Sequence, residues 1–393
     1  LIKEKSVKMK IRYFMIISAC FMLLTGCWDR KEINDIAFVT ATGFDKKGEN
    51  EYQMSVQVPL PGGMGGAGSS GGGGGTGGNK SFYVDSEIGR NIRESNDKLQ
   101  KRMSRTLYYA HRRVLIVGDD LAKQGFQNIL DIVALQPQSR LSAYILVSKG
   151  NAAKLLNTQT HLEKIPTEAI REMDKTGLGI TVKETIMDLK RNGVDPVLPV
   201  VEIEKTNTGK EKENKGELAI RRIGIFKDDK LAFITNESET AGIIWLVREM
   251  VNKGITFPVR KNEELNVRII EEKLRYSHKI VGNTPQLTIH VRTKGVLEEN
   301  EPNLIMADQK TYEMVKEKME KAIQKQIKDI VDHSKSEGID SFGFGWHLYR
   351  KENRLWEKEW KQRWREMLPD VKVDIQVHAD IQRVTNTGLD LKG

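Results

Sequence analysis

Residues Leu24-Thr25-Gly26-Cys27, followed by Trp28 and Asp29, constrain everything downstream: an aliphatic residue and two small ones stand directly before a cysteine. Upstream lies a basic segment with Lys3, Lys5, Lys8, Lys10 and Arg12, then an apolar run from Tyr13 to Leu24 broken only by Ser18. The run is shorter than the about 20 apolar residues that a permanent spanning helix needs. Charge, apolar core and small residues in that order read as a secretory signal. A thiolate is the strongest nucleophile among common side chains, so a cysteine here accepts a diacylglyceryl group. Thr25 and Gly26 are small enough for a peptidase to cut between Gly26 and Cys27. The pattern is that of a bacterial lipobox, and it predicts a lipoprotein signal peptide over residues 1–26 and lipid attachment, of palmitate type, at Cys27. An ordinary signal peptide with a chance cysteine is the alternative. Two or three acyl chains, at about 0.8 kcal/mol per buried methylene, anchor a protein where one chain does not.

The chain's 393 residues suffice for two or three domains with real cores. After Cys27 no apolar stretch approaches membrane-spanning length, which predicts a tethered body on the outer face of a membrane. Cys20 leaves with the signal and Cys27 is acylated, so the mature body is expected to hold no disulfide. The formal net charge is +9, of which residues 1–26 carry +4. The remaining excess favours an anionic lipid surface. It does not favour nucleic acid, because basic residues alternate with acids, as in Glu317-Lys318 and Lys358-Glu359, rather than forming a stripe.

Ile36–Thr42 reads as a strand, Asp45-Lys46-Lys47-Gly48 as a turn, and Tyr52, Met54, Val56 and Val58 as the buried side of a second strand in an antiparallel hairpin. Residues 62–78 are almost all glycine, a loop or linker with a reach of about 20–25 Å. Within it Gly68-Ser69-Ser70-Gly71-Gly72 matches GxSxG formally, without the flanking apolar residues a nucleophile elbow requires. Ile88, Ile92, Ser95 and Leu99 share a helical face. Arg113–Val117, a helix over Leu121–Leu135 and Ala143–Val147 predict a βαβ unit, followed by helices near 152–156, 167–173 and 182–191. Residues 205–216 are polar and predict a linker or loop between a domain over 28–204 and one over 217–393. The second half predicts a hairpin turning at Asp228-Asp229, a helix over 238–252, and strands over 265–271, 274–281 and 286–296. A long amphipathic helix follows over 308–334, with Tyr312, Val315, Met319, Ile323, Ile327 and Ile330 as its stripe. A last helix near 353–367 carries Trp356, Trp360 and Trp364 at four-residue spacing, and a strand over 371–377 closes the chain. The class is α+β: multidomain, antiparallel and mixed sheets with packed helices, elongated.

No catalytic, cofactor or metal site is predicted. The seven histidines, His111, His161, His278, His290, His333, His347 and His378, show no HExxH spacing, and no cysteine pair is placed for zinc. Carboxylates sit in Lys/Glu mixtures typical of solvated helix faces. The tryptophan stripe suits either an aromatic-lined sugar site or a core-facing helix, the second being the commoner fate.

Several segments together resemble one family, the Ger(x)C or GerAC spore germination lipoproteins, the C subunits of nutrient germinant receptors. Gly26-Cys27-Trp28-Asp29-Arg30-Lys31-Glu32-Ile33 is similar to the family's start, followed by Ala41-Thr42-Gly43-Phe44-Asp45. His111 to Gly118 with Leu121-Ala122, then Gly224-Ile225-Phe226-Lys227 with Leu231, then Glu239-Thr240-Ala241-Gly242 with Trp245, resemble later blocks. Asp340-Ser341-Phe342-Gly343-Phe344-Gly345 and the three tryptophans resemble its end. The glycine tract departs from the pattern, lengthening one hairpin loop, and Met9 is the expected initiator. The resemblance implies a non-enzymatic lipoprotein, active in sporulating cells' spores, that joins A and B membrane subunits in the spore inner membrane, where amino acids or sugars trigger ion release. The other readings are a solute-binding lipoprotein that senses or delivers a small nutrient, which requires two lobes around a cleft, and an envelope hydrolase, for which no nucleophile or acid pair is nominated.

Overall fold

The computed structural model describes residues 13–15, 32–60, 81–136, 138–205 and 216–382. Cys27, the glycine tract and residues 206–215 lie outside them. The first part of the fold comprises β1 (Ile36–Phe38), β2 (Ala41–Gly48), β3 (Glu51–Pro59), β4 (Phe82–Gly89), α1 (Ile92–Arg102), β5 (Thr106–Tyr108), β6 (Val114–Gly118), α2 (Asp119–Gln124), α3 (Gln127–Leu135) and β7 (Tyr144–Ser148). It continues through α4 (Ala152–Leu156), α5 (Pro166–Thr176), α6 (Val182–Lys190), β8 (Val197–Glu204), β9 (Glu217–Lys227) and β10 (Lys230–Ile234).

Eight of these strands make one mixed sheet in the order β10-β9-β8-β7-β6-β2-β3-β4. Its centre is parallel, β2 to β6 to β7 to β8, and its flanks are antiparallel. The expected βαβ unit is present as parallel β6 and β7, in register from Val114↔Tyr144 to Gly118↔Ser148. Its single expected helix is two, parted at Gly125, whose φ of +115° is one that L side chains rarely adopt. The first hairpin is antiparallel as expected, but β2 runs through the Asp45–Gly48 stretch and the chain reverses at Glu49-Asn50. Asp45 is buried there, so its turn-forming chemistry is spent elsewhere.

The sheet also crosses the expected linker. β9 pairs antiparallel with β8 from Val197↔Ile225 to Glu204↔Glu217, so residues 217–234 complete the first sheet rather than opening the second.

The second part holds α7 (Glu237–Val247), β11 (Gly254–Arg260), β12 (Glu263–Val281), β13 (Thr284–Asn300), α8 (Gln309–Ser336), α9 (Phe344–Lys351), α10 (Asn353–Leu355), α11 (Trp364–Met367) and β14 (Val373–Gln382). Its four-stranded sheet has the order β11-β12-β13-β14. Two strands expected at 265–271 and 274–281 are one, β12, interrupted by a bulge between Ile269 and Glu271. β14 joins β13 in parallel, since the helices between them carry the chain back across the sheet.

α8 buries Val315, Met319, Ile323, Ile327 and Ile330 of the predicted stripe, while Tyr312 at its start is half-buried and donates its hydroxyl to Asp380 Oδ1 at 2.7 Å. α7 crosses it at Gly242, where a Cβ would overlap the Gln326 carbonyl oxygen, so any larger residue pushes the two helices apart. Trp245 Nε1 donates to Gln326 Oε1 at 3.1 Å across the same crossing. α7 stops at Val247 rather than Asn252, and Arg248 reaches the loop between α5 and α6.

Candidate functional site

Cys27, the predicted lipid attachment residue, lies outside the described residues, and so does the formal GxSxG match at Gly68–Gly72. Among the described residues no three His, Cys, Asp or Glu side chains gather as a metal site, and no helix is long and apolar enough to cross a membrane. Two open depressions lie among the described residues. One, of about 600 Å³, runs along α8 beside Glu313, Met314 and Glu317, and one of about 300 Å³ lies beside Lys273, Arg292 and His378.

The residues that prompted the family resemblance become fasteners. Asp45, at the end of the Ala41–Asp45 block, accepts hydrogen bonds from Ala152 N at 2.8 Å and Ala153 N at 3.1 Å. It caps α4, where free N–H groups and the helix dipole favour a carboxylate. Burial nonetheless pushes its pKa up, against the lowering pull of those two N–H groups. Glu239 forms a capping box with Asn236 at the start of α7. Its carboxylate also meets His333 Nδ1 at 2.7 Å, and the His333 ring stacks on Phe233 with centroids 3.8 Å apart.

The densest polar cluster joins the two sheets. Asp195, just before β8, and Asp340, just before α9, lie side by side: Asp195 N donates to Asp340 O at 2.7 Å and Asp340 N to Asp195 Oδ2 at 2.9 Å. The Asp340 carboxylate accepts from Phe344 N at 3.0 Å, Gly345 N at 2.7 Å and Trp364 Nε1 at 2.9 Å. Asp340 is buried, and burial pushes its pKa up to about 6 although all three donors pull it down. Arg365 spans Asp195 at 2.7 and 2.9 Å and reaches Asp228, in the β9–β10 turn, at 2.6 Å. Burial would lower this guanidinium's pKa, but the two aspartates reverse that and hold it above its usual range. The bidentate geometry fixes the pair's orientation as well as its charge.

A second arginine grips the first part from the other side. Arg248 bonds the carbonyls of Leu178 and Gly179 and meets Glu184 Oε1 at 3.0 Å. Nearby Asp174 accepts from Gly179 N at 3.2 Å, its pKa pushed up to about 7 by burial.

The three tryptophans belong to this joint and to the core, all being buried. The regular helix expected across them is replaced by α10, a π-turn over Trp356–Trp360 and α11. Lys361 N bonds back to Trp356 O at 2.8 Å, five residues away. The wider turn lets the indoles serve different ends: Trp364 donates to Asp340, while Trp360 Nε1 donates to Asn283 O at 2.8 Å on the β12–β13 hairpin. An aromatic stripe lining a sugar site is thereby excluded for these rings.

Of the scattered histidines, the fold brings two together. His278 Nδ1 lies 3.0 Å from His347 Nε2, although 69 residues separate them. Spacing along the chain carries no signal for that meeting, nor for Asp195 with Arg365, 170 apart.

Comparison with known proteins gives a consistent picture. Residues 29–203 match the family model described as spore germination protein N-terminal domain, and 221–385 match spore germination B3/GerAC like, C-terminal. Putative spore germination protein YfkR of Bacillus subtilis (strain 168) is 36% identical over 326 residues, covering 82% of this chain and 84% of its own. Spore germination protein KC of the same organism is 27% identical over 400 residues, 97% of this chain and 96% of its own. The crystal structure of the GerBC protein superposes with a TM-score of 0.55 over 90% of this chain and 99% of its own, at 17% identity, which speaks to the fold.

Proposed function

The chain belongs to the GerAC family of spore germination proteins, and we propose that it is the lipid-anchored, non-enzymatic C subunit of a nutrient germinant receptor. In this reading Cys27 carries the acyl anchor on the outer face of the spore inner membrane, and the body assembles there with A-type and B-type membrane subunits. The observation that carries the reading is positional: the lipobox ends at Cys27, and the match to the spore germination N-terminal domain begins two residues later at Asp29. A thioether-linked anchor at that point leaves the two-sheet body beside the bilayer, where confinement raises its effective concentration for membrane partners.

Cys27→Ala tests this. The expected result is loss of lipid labelling, release of the chain from membranes, reduced co-purification with neighbouring membrane proteins and weakened germination. Normal germination with soluble, unlabelled protein would remove the anchor from the account.

A further inference from the structure

We propose that His278 and His347 form a proton-operated clasp, closed at neutral pH and released in acid, which fastens the end of the β12–β13 hairpin to α9. The two rings meet edge to face, centroids 5.1 Å apart, with His278 Nδ1 3.0 Å from His347 Nε2. Behind them His278 Nε2 lies 3.1 Å from Glu352 Oε1, at the end of α9. His278 is only 13% exposed.

One proton arrangement satisfies every contact with both rings neutral. His347 Nε2–H donates to the lone pair of His278 Nδ1, and His278 Nε2–H donates to the Glu352 carboxylate. One added proton is tolerated if His347 shifts its own hydrogen to Nδ1, so that Nε2 accepts. With two added protons, both facing nitrogens carry hydrogen and both rings carry charge, and a contact of 3.0 Å is lost. Glu352 offsets one charge, not two. The other groups facing the pair do not help: Lys351 and Arg350 on α9 are cationic, and the Tyr276 ring on β12 lies at 6.1 Å, edge-on to His347. Burial, then His278, Lys351 and Arg350, hold His347 below the usual imidazole range. Folded His347 therefore takes up its proton less readily than in the unfolded chain, so the contribution of the contact, present at neutral pH, is lost as pH falls through about 6.5.

The clasp has something to transmit. The hairpin end is also held by Trp360 at Asn283, and the first N–H groups of α9 are those that Asp340 binds in the joint between the sheets. Release at His347 frees the hairpin from the same helix whose start is locked into that joint.

Hydrogen–deuterium exchange of the full chain at about pH 7.5 and about pH 5.5, corrected for intrinsic rates, tests the proposal. Segments 276–286 and 344–352 are expected to lose more protection on acidification than the β9–β10 hairpin does. His347→Gln keeps a neutral N–H donor for His278 Nδ1; it is expected to retain neutral-pH protection and lose the pH dependence. NMR of histidine-labelled wild-type chain is expected to show the signals of the two rings changing together as pH falls, as their direct contact requires. Equal protection at both pH values, undiminished pH dependence in His347→Gln, or two independent titrations would overturn the clasp. So would protection that rises with added zinc and falls with EDTA, which would make the pair a metal site.

Discussion

The two sheets of this protein solve burial in opposite ways. In the eight-stranded sheet, β6 and β7 are covered on both faces. Leu115, Val117, Ile145 and Val147 enter the core that continues through the second part, while Val114, Ile116 and Leu146 pack under α4 and α5 on the other side. These strands have no alternation because no residue faces water. In the four-stranded sheet one face packs on α8 and the other meets solvent: β11 alternates strictly, as do β13 over much of its length and β14. A covered parallel centre has no room for an unpaired charge, while a half-covered sheet offers a surface that substitutions leave intact.

The largest effects should break or sharpen that contrast directly. Leu115→Lys and Ile116→Lys, neighbours on opposite faces, are each expected to cost about 3–5 kcal/mol or prevent folding, because each buries an unpaired charge. In β14, Val377→Lys should behave similarly, while Gln376→Lys should stay within about 0.5 kcal/mol. Urea midpoints compare the four; a tolerated Ile116→Lys would mean that the second face of the large sheet is open.

The joint between the sheets comes next. Asp340→Ala leaves Phe344 N, Gly345 N and the Trp364 indole without their acceptor, at an expected cost of about 3 kcal/mol. Asp340→Asn restores one acceptor and should recover part of it. The pH dependence has a definite sign. With a folded pKa of about 6 against an ordinary 3.8, Asp340 holds its proton more tightly folded than unfolded. Its contribution to stability falls as pH rises from about 3.9 to 6 and is level above, and Asp340→Asn should reduce that slope in a plot of midpoint against pH, leaving the part that buried Asp174 adds in the same sense. An undiminished slope would assign it to Asp174 or another buried acid.

The smallest effect probes how firmly the half-covered sheet is held at its tip. Trp360→Phe keeps most of the buried ring but loses the bond to Asn283 O, for about 1 kcal/mol, read as a small midpoint shift and faster exchange near Gly282.

Much of this was legible in the residues taken in order. The two hairpins, the βαβ unit and the α8 stripe all rest on local rules: turn residues, and periods of two or 3.6. The mixed α+β class followed from their succession, and the blocks quoted for the resemblance, apart from Gly26-Cys27-Trp28, fall inside the matched family regions. Other features were not legible. The turn assigned to Asp45–Gly48 failed because that aspartate's carboxylate is claimed by α4, 107 residues on. The regular tryptophan helix failed because two indoles answer to distant partners, Asp340 and Asn283.

Periodicity along a chain records which side of an element is buried, since burial acts on every residue of that side at once. It holds no record of which element does the burying. The parallel placement of β14, the passage of the first sheet beyond residue 217, the Asp195–Arg365 grip and the His278–His347 contact were all decided by tertiary structure. The first two are backbone ladders, in which any sequence can supply the N–H and C=O groups, and the last two are single pairs of side chains meeting across a long separation; neither leaves a repeating mark in the sequence.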